Sequence, residues 1–579
     1  MKVDLRFSSK INPEFNRLFN DISWSSRQEF NDFITSISKN FQGNLDWWVE
    51  SPASRNTYAS SLFHYFCCAK LIFEIIQDKN CGIDAIYVDS RELKKIIEKI
   101  LHKSNYEKVA VNYKPFFNLR LKRFVKKYFY YELIFLKRFL RLFIARLSSR
   151  IFTSRAPEKP IVLIDTFVSK KYLNDDRWYG SLWDQLNDEQ KSEVFFVPTL
   201  INTPIKDLFL IFKNLRKNSR NILIKDDFIK INDLLYAYKH KKRVESLKVT
   251  PFFLSDIDLS GLVYEDIEYF RDINSIIESL LTYRFIYRIA QLGLNVRLSV
   301  DWFEGHSLDK SWNLGIKDFY NNIPRVGYRA FFKSYPYYLS TYPIEIERDA
   351  GVLPDIFAVQ GKGSIADVKE FLPDLNVMVI PAFKAGHVWE RNLGELPNKK
   401  NHILVTFPIS TSASTRILKA LIDAHNLLST EHKKTIYVLK PHPTNTIKRI
   451  KESLNQIIPD TFMFTEERSF PNLLKHSAIL ITEASSTCLE ALAYGISVVI
   501  IENPTGITYD PLPENTPKEL FKKAKNPKEI KDAITFFLNH TKEQLKKNRS
   551  LAMEVRNNYF EPITKDGINR FLNIDNDEK

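Results

Sequence analysis

The sequence predicts an α/β fold built from doubly wound parallel sheets, and three observations lead to this class. Short apolar runs rich in β-branched residues alternate with stretches of helical periodicity along most of the chain. Several of these runs end abruptly in loops rich in Pro, Ser and Thr. With 579 residues, 44% of them hydrophobic, the chain is globular and too long for one core. We therefore expect two or three domains.

The first part of the chain predicts the beginning of such a sheet. Residues 1–43 are polar and compatible with helices, and we treat them as an N-terminal extension. Leu45–Glu50 predicts a strand, which is followed by a predicted helix over 58–77. Strands over 85–88 and 108–112 continue the alternation, so the first doubly wound sheet is expected to begin near Leu45.

The positive charge of the protein is concentrated in one segment. Residues 114–155 contain twelve Lys or Arg and a single acid, Glu132. This segment carries a net +11 of the total +15, which leaves +4 for the other 537 residues. Its aromatic and aliphatic residues have helical spacing, and no run of about eighteen apolar residues suited to a spanning helix occurs in the chain.

We interpret the basic segment as an interfacial helix on an anionic membrane. A helical hairpin packed on the protein, a dimer contact and a nucleic-acid arm are the alternatives, and nothing else in the chain supports nucleic acid. The N-terminus has no signal-peptide pattern, and the four cysteines have neither ligand nor redox spacing. We expect a cytoplasmic protein that is peripheral on the inner face of the cytoplasmic membrane.

The second part of the N-terminal half predicts more strands and a candidate catalytic loop. Strands are expected over 160–165, 193–198, 296–300 and 325–331, with helices between them near 204–217, 231–247 and 270–293.

The loop after the third of these strands reads DWFEGH and places two carboxylates and a histidine at a strand end. Asp301, Glu304 and His306 are the candidate catalytic residues. Transfer to a hydroxyl needs a base that takes the acceptor proton, and burial that raises a carboxyl pKa would suit the task. The alternative is an N-capping acid in a solvated loop.

The C-terminal half repeats one design three times. The predicted strand 403–407 precedes Ser410 and Thr411, whose hydroxyls are candidates for contacts with bound ligands, as a donor or an acceptor of a transferred group would be. Strand 435–439 ends at Lys440-Pro441-His442-Pro443, where the prolines prevent further pairing. Strand 478–481 is followed by the turn Glu483-Ala484-Ser485-Ser486-Thr487, a helix over 488–494 and a strand over 497–501. Further helices are expected near 517–524, 527–540 and 542–558.

The two later loops predict a phosphate site. Parallel strands present their carboxyl ends at one edge of a sheet, where ligands bind. The hydroxyl turn precedes a helix, whose first N–H groups are free to bind an anion. A histidine held between prolines adds a further donor. The alternative is an ordinary N-capped helix.

The motifs KPHP and SSTCLEALAYG resemble the C-terminal half of GT-B glycosyltransferases, which have two Rossmann-like domains facing a cleft. They are most similar to the bacterial enzymes that use CMP-sugars, the sialyltransferases, polysialyltransferases and Kdo transferases. The resemblance implies that His442-Pro443 and Ser485, Ser486 and Thr487 hold the nucleotide phosphate and that Glu490 binds the ribose. Lys440 and Glu483, in the same loops, complete the candidate donor site.

The same families carry an acidic motif of two acids and a glycine in the N-terminal domain. Glu304-Gly305 fits its last two positions, whereas Phe303 replaces the first acid. Glu304 is therefore the first choice for the base. There is no DxD pair near the donor strands, so neither a metal nor a cofactor is expected.

The predicted organisation follows from these elements. It comprises an extension (1–43), an N-terminal domain (44–382) with a basic helical insertion (113–156), a linker (383–402), a C-terminal nucleotide-sugar domain (403–558) and a terminal segment (559–579) that crosses back. The expected activity is transfer of a sugar, such as a CMP-linked sialic acid or Kdo, to a free or lipid-linked glycan of capsule or lipopolysaccharide. A CDP-glycerol-type phosphotransferase, a sugar-nucleotide epimerase and a non-catalytic membrane-bound assembly protein are the alternatives.

Overall fold

A computed structural model describes the chain except for residues 8–10, 58, 78–81, 107, 116–129, 152–156, 158, 171–172, 174–175, 177, 201–202, 269–271, 321, 332–337, 394–401, 444, 468, 484 and 574–579. The α/β class predicted from the sequence is confirmed. The strands of the described part are β1 (Lys2–Asp4), β2 (Ala85–Val88), β3 (Ala110–Tyr113), β4 (Ile161–Val168), β5 (Val194–Leu200), β6 (Phe253–Leu254), β7 (Ile257–Asp258), β8 (Val296–Trp302), β9 (Arg325–Arg329), β10 (Ile356–Val359), β11 (Val377–Val379), β12 (His402–Thr406), β13 (Ile436–Lys440), β14 (Phe462–Phe464), β15 (Ser477–Thr482), β16 (Ser497–Ile501) and β17 (Phe521–Ala524).

Helices cover both faces of the sheets. The α-helices of the described part are Pro13–Ser25, Arg27–Ser38, Leu45–Trp48, Ser51–Ser54, Leu62–Gln77, Arg91–Lys103, Tyr131–Ile151, Leu182–Gln185, Asp188–Glu193, Ile205–Arg216, Lys225–Phe228, Ile231–Tyr238, His240–Val244, Ser260–Glu268, Ile273–Gln291, Ser307–Phe319, Glu345–Ala350, Ile365–Val368, Thr411–Asn426, Ile447–Glu452, Phe470–Lys475, Thr487–Ala493, Pro527–Leu538, Lys542–Tyr559 and Lys565–Leu572. Short 3-10 turns lie at Lys39–Phe41, Leu339–Thr341, Lys362–Ser364, Phe383–Trp389 and His432–Lys434.

The C-terminal sheet is parallel and has the strand order β14-β13-β12-β15-β16-β17. In chain order this is 3-2-1-4-5-6, the order of a dinucleotide-binding Rossmann sheet, whose switch point lies between β12 and β15. Ile403 and Val405 pack with the helices Thr411–Asn426 and Pro527–Leu538. Leu404 lies on the opposite face with the helix Thr487–Ala493. Burial of both faces explains why these strands are almost continuously apolar.

The N-terminal sheet is also parallel, with the order β11-β10-β9-β8-β4-β5. Its chain order of 2-1-3-4-5-6 extends the flavodoxin-like arrangement, and its switch point lies between β4 and β8. The loop after β8 therefore leaves the sheet where ligands bind in such folds. Strand β10, whose four residues are all buried, is not among the strands that the sequence predicted.

Two predicted elements are wrong. Leu45–Glu50 does not form a strand: Leu45–Trp48 is a helix, and the Asn44 side chain caps it by accepting a hydrogen bond from the Asp46 backbone N–H. Both tryptophans of this helix are buried, which a two-faced strand pattern does not predict. The predicted helix 517–524 instead contains the edge strand β17, which pairs with β16. Its central lysines are exposed, as sheet edges tolerate.

The ends of the chain connect the two halves. Strand β1 pairs with β2, and β2 with β3, in a separate three-stranded parallel sheet. The Ile11 backbone N–H donates to the Thr505 carbonyl at 3.0 Å, and the Asn20 side chain donates to the Gly506 carbonyl. At the other end, the helix Lys565–Leu572 packs Phe571 against the N-terminal sheet.

The basic segment is described over Lys114–Pro115 and Tyr130–Ile151, while its residues 116–129 and 152–155 lie outside the described part. The helix Tyr131–Ile151 packs one face on the N-terminal half through Tyr131, Ile134 and Leu142. No helix of the described residues is long and apolar enough to cross a bilayer.

Candidate active site

A cleft of about 2150 Å³ lies at the carboxyl edges of the two large sheets. Glu304 and Tyr338 line it from the N-terminal half, while His442, Ser485 and Thr487 line it from the C-terminal half. Side chains that the sequence places on distant loops therefore face one common space. The cleft lies next to the switch point of each sheet, the position where open α/β sheets bind ligands.

The hydroxyl turn after β15 forms one wall of the cleft. Ser485 Oγ and Thr487 Oγ1 lie 2.8 Å apart, and the Thr487 backbone N–H faces Ser485 Oγ at 3.4 Å. Ser486, at the start of the helix Thr487–Ala493, also lines the cleft. The turn thus presents three hydroxyls and a helix start to the space that the sequence assigns to a phosphate.

The loop after β13 forms the adjacent wall. Lys440, His442 and Pro443 all line the cleft. The His442 carbonyl accepts a hydrogen bond from the Asn445 backbone N–H at 2.8 Å, which closes a tight turn. Lys440 Nζ donates to the Glu467 carbonyl, so this cation is partly engaged by the protein.

Of the two candidate residues in the loop after β12, only Ser410 lines the cleft. Ser410 lines the cleft and caps the helix Thr411–Asn426 by accepting a hydrogen bond from the Ala413 backbone N–H. Thr411 is not among the lining residues; its hydroxyl donates to Asn445 Oδ1 at 3.2 Å and joins this loop to the His442 loop. Thr411 therefore supports the neighbouring loop.

Two acids of the C-terminal half line the cleft with partners that the sequence did not reveal. Glu483 accepts from Arg416 at 2.7 Å; burial raises the pKa of Glu483, and Arg416 only partly offsets this effect. Glu490 lies 3.6 Å from His387, and burial holds the pKa of this histidine below its usual value. Arg416 and His387 carry no local motif, so only the tertiary structure identifies them.

On the opposite side of the cleft, both oxygens of Glu304 are held. Trp302 Nε1 donates to Oε1 at 2.8 Å, and His306 Nε2 contacts Oε2 at 3.0 Å. Burial alone raises the pKa of Glu304, but the hydrogen bond and charge of His306, with smaller effects from Trp302 and Lys384, hold it below its usual range. The expected net rise of this pKa is therefore wrong, because the partners of Glu304 outweigh burial, and Glu304 is ionised at neutral pH.

His306 lies behind Glu304 and is held from several sides. Asn56 Nδ2 lies 3.0 Å from His306 Nδ1, and the Tyr338 hydroxyl contacts Nε2. Asn56 and Tyr338 thus hold the ring so that Nε2 faces Glu304 Oε2. Burial lowers the pKa of His306, yet Glu304 outweighs burial and raises it above the usual value.

The Glu304 loop is fixed by its own backbone. Asp309 Oδ2 accepts from the backbone N–H groups of Glu304 and His306 at 2.8 and 2.9 Å. Gly305 has φ +69°, and its α-carbon packs directly against the Ser340 carbonyl. Only glycine fits this position without strain. Of the acidic motif suggested by the sequence, this glycine is thus required by the backbone geometry.

Asp301 is not brought to the cleft. Its side chain is 1% exposed, and burial, followed by the charges of Asp309 and Asp165, raises its pKa well above the usual value. Successive side chains on a strand point to opposite faces, so Asp301 and its neighbours on β8 face different surroundings. A carboxyl enclosed in this way does not reach a hydroxyl in the cleft and does not suit the role of base.

The comparisons with known proteins give only distant likeness. No protein-family model matches the chain, and no curated protein matches it either. Among solved structures, S. aureus MnaA with UDP has a TM-score of 0.41 and 13% identity, over 72% of this chain and 95% of that one. UDP-GlcNAc 2-epimerase from Neisseria meningitidis with UDP-GlcNAc has a TM-score of 0.39 and 10% identity, over 68% of this chain and 99% of that one. α,α-Trehalose 6-phosphate synthase from Burkholderia multivorans has a TM-score of 0.39 and 9% identity, over 69% of this chain and 94% of that one. At these TM-scores the likeness carries no weight for activity or substrate.

The structure adds lining residues that the sequence did not indicate. Phe7, Phe19 and Phe63, from the N-terminal region that we treated as an extension and the helix after it, form an apolar wall of the cleft. Lys384, in the segment predicted as a linker, adds a cation. Among the described residues, no group of three or more His, Cys, Asp or Glu is arranged to hold a metal ion. The absence of a metal requirement stays a prediction.

Proposed function

We propose that this protein is a GT-B-type glycosyltransferase that moves a sugar from a nucleotide donor to a hydroxyl of a growing cell-surface glycan. One observation carries the proposal: a carboxylate from the loop after one parallel sheet strand and the His442, Ser485 and Thr487 side chains from the other sheet line the same cleft. Acid–base chemistry and anion binding are the two capacities that sugar transfer from a nucleotide needs.

The C-terminal wall is the donor side in this proposal. The hydroxyls of Ser485, Ser486 and Thr487, together with His442, bind the phosphate of the donor. Donors aimed at the phosphate stabilise the charge that develops as the sugar–phosphate bond breaks. Glu490 accepts hydrogen bonds from the ribose hydroxyls. The proposed donor is a CMP-linked ulosonic acid such as sialic acid or Kdo, as the resemblance of the KPHP and SST motifs implies.

Glu304 is the proposed base. Glu304 is ionised at neutral pH and takes the proton of the acceptor hydroxyl. At the same time, the acceptor oxygen forms a bond to the anomeric carbon of the donor sugar. The sugar–phosphate bond breaks, and its electron pair moves to the donor phosphate. Trp302 and His306 hold the carboxylate in position, which lowers the cost of orienting it. The imidazole also stabilises the ionised form before the proton arrives. The acceptor glycan, free or lipid-linked, enters from the side of Tyr338 and Lys384.

Nucleotide-dependent melting shifts test the donor half of the proposal. CMP and CDP should raise the melting temperature, whereas UDP and GDP should not. A shift with UDP alone would contradict cytosine as the nucleobase of the donor. No shift with any of the four nucleotides would favour a non-catalytic assembly protein. His442→Ala should abolish the shift, while the matched control His476→Ala, an exposed histidine outside the cleft, should retain it.

Transfer measurements test the base. Glu304→Gln keeps the size of the side chain and removes the charge, so the nucleotide-induced shift should persist while transfer falls by about 10²–10⁴-fold. Full transfer by Glu304→Gln would exclude Glu304 as the base. A variant that loses both the shift and transfer would indicate a disturbed cleft and not a missing base.

A further inference from the structure

The helix Tyr131–Ile151 is apolar on its outward face as well as on the face that packs against the protein. Its outward face carries seven large apolar side chains that are each 37% to 62% exposed. They are Leu133, Leu136, Phe139, Leu140, Phe143, Leu147 and Ile151. At 1.5 Å per residue this stripe is about 27 Å long. An apolar face of this kind on a protein surface marks an interaction site.

The inward face of the same helix carries charge. Arg141 donates to Asp226 at 2.7 Å and to Glu278 at 3.3 Å, and Arg138 also pairs with Glu278. Arg216 of the neighbouring helix donates to the Ala145 carbonyl at 3.2 Å. These contacts fix the rotation of the helix, so the apolar stripe cannot turn inward without breaking buried ion pairs.

The helices on either side extend the apolar surface. Ile205, Phe209 and Leu210 of the helix Ile205–Arg216 are 37% to 45% exposed. The helix Ile231–Tyr238, joined to the stripe by a hydrogen bond from Tyr131 to the Tyr238 carbonyl at 2.6 Å, exposes Leu235 and other apolar residues. We call the outward residues of these three helices the apolar face.

The charges around the apolar face are positive. Exposed cations lie on or beside the three helices at Lys137, Arg146, Arg150, Lys206, Lys230, Lys239 and Lys242. The acids of the helices are Glu132, Asp207 and Asp233; the last two are held by ion pairs with Lys170 and with Arg284 and Arg288. Glu132 is the remaining exposed acid of the three helices and accepts from the Tyr238 hydroxyl; beside them, Glu245 is also exposed. The partner of this surface must be both apolar and anionic.

We infer that the apolar face docks on an anionic lipid bilayer, with the stripe of the helix Tyr131–Ile151 lying in the interface. Lipid acyl chains accept the apolar residues, and anionic headgroups neutralise the cations around them. A second copy of the chain fits less well, because a two-fold contact would place the same cations against each other.

The position of the face relates it to the cleft. Lys225, which pairs with the same Glu278 as Arg138 and Arg141, donates to Thr199 near the carboxyl end of β5. In a parallel sheet this is the edge from which the Glu304 loop leaves β8. The part of the helix Tyr131–Ile151 that carries Arg138 and Arg141 thus lies near the same edge of the N-terminal sheet as the cleft. Resting on the proposed function, this placement makes the acceptor a lipid-carried glycan held at the bilayer surface.

Vesicle sedimentation tests the docking without requiring catalysis. The full-length protein should sediment with vesicles of phosphatidylcholine and 30% phosphatidylglycerol and should bind pure phosphatidylcholine at least tenfold more weakly. The triple variant L136S/F139S/F143S should bind the anionic vesicles at least tenfold more weakly than wild type. The control L292S/L427S/I457S changes three apolar side chains elsewhere that are 54% to 91% exposed, against 50% to 62% for the tested three, and should bind as wild type does.

A second variant keeps the docking testable if L136S/F139S/F143S does not fold. K137E/R150E leaves the apolar residues in place and reverses two exposed cations, so binding to anionic vesicles should weaken and lose much of its salt dependence. Wild-type protein that stays in the supernatant with both vesicle types would overturn the inference. So would a wild-type dimer that L136S/F139S/F143S converts to a monomer, since the face would then join two copies.

The outcomes also separate docking from sugar transfer. If docking is right and transfer is wrong, vesicles bind while no nucleotide shifts the melting temperature. If transfer is right and docking is wrong, nucleotides shift the melting temperature and L136S/F139S/F143S behaves as wild type in both assays.

Discussion

Replacing Gly305 by Ala tests how rigidly the candidate base is held. Gly305 has φ +69°, and a Cβ built there would lie 1.6 Å from the Ser340 carbonyl oxygen. Real Cβ contacts are essentially never shorter than 3.0 Å, so the two groups must separate by about 1.4 Å. The loop cannot absorb this easily, because Asp309 holds the backbone N–H groups on both sides of the glycine.

The expected cost has two parts. The left-handed backbone conformation alone costs a non-glycine residue about 1–2 kcal/mol. The displacement of the loop adds to this conformational cost and also moves Glu304. A misplacement of about 1 Å at a reacting group lowers the rate on the order of 10²-fold. We therefore expect Gly305→Ala to lower the melting temperature clearly, to reduce transfer by about 10²-fold and to keep the nucleotide-induced shift.

Gly293→Ala is the matched control. Gly293 has φ +73°, but a Cβ there meets nothing within 4 Å. Thermal unfolding of the two variants therefore separates the conformational cost from the clash, and Gly305→Ala should lower the melting temperature at least twice as much. Equal losses in the two variants, or full transfer by Gly305→Ala, would show that the Ser340 carbonyl yields and that Glu304 is not rigidly positioned.

Two further predictions concern buried charges. Burial raises the pKa of Asp165 to about 8, while the unfolded chain releases this proton near pH 4, so this group lowers the free energy of unfolding as pH rises from about 4 to about 8. Asp165→Asn should therefore melt higher than wild type at pH 8 and lose that advantage towards pH 5; parallel curves of melting temperature against pH would contradict this. Glu347 pairs with Arg55 at 2.8 Å and with Lys310 at 2.7 Å, all three almost fully buried. Glu347→Gln should destabilise the N-terminal half by roughly 3–5 kcal/mol, since two cations stay buried without their counter-charge; chemical denaturation measures this, and a loss below 1 kcal/mol would refute it.

The elements that the sequence predicted well are those with purely local signals. Strand β16 was predicted with the bounds that the structure shows, and β13 ends at the lysine before the two prolines. A buried strand of a doubly wound sheet needs apolar residues on both faces, and a proline stops pairing wherever it stands. These requirements do not depend on the rest of the fold. The same signals sufficed to place His442 and Ser485 at the ligand edge of one sheet.

The predictions from the sequence were wrong where the local residue pattern does not reflect which side chains are buried in the fold. The run at Leu45–Trp48 is as apolar as a strand but forms a helix, because the preceding Asn44 caps it and both tryptophans find the same interior. The lysine-rich β17 lacks the appearance of a strand because only one of its edges is paired. Asp301 and Glu304 were both candidates from one loop of the sequence, yet one is enclosed and the other lines the cleft.

The sequence by itself determined the α/β class, most strands of the two large sheets and the loops that carry the candidate donor site. Only the tertiary structure decided that Glu304 faces those loops, that its pKa is lowered by His306, and that the helix Tyr131–Ile151 turns an apolar side outward. That rotation depends on Glu278, 137 residues from Arg141 along the chain. Strand composition and proline act on their immediate neighbours, whereas charge pairing and burial depend on groups that only folding brings together.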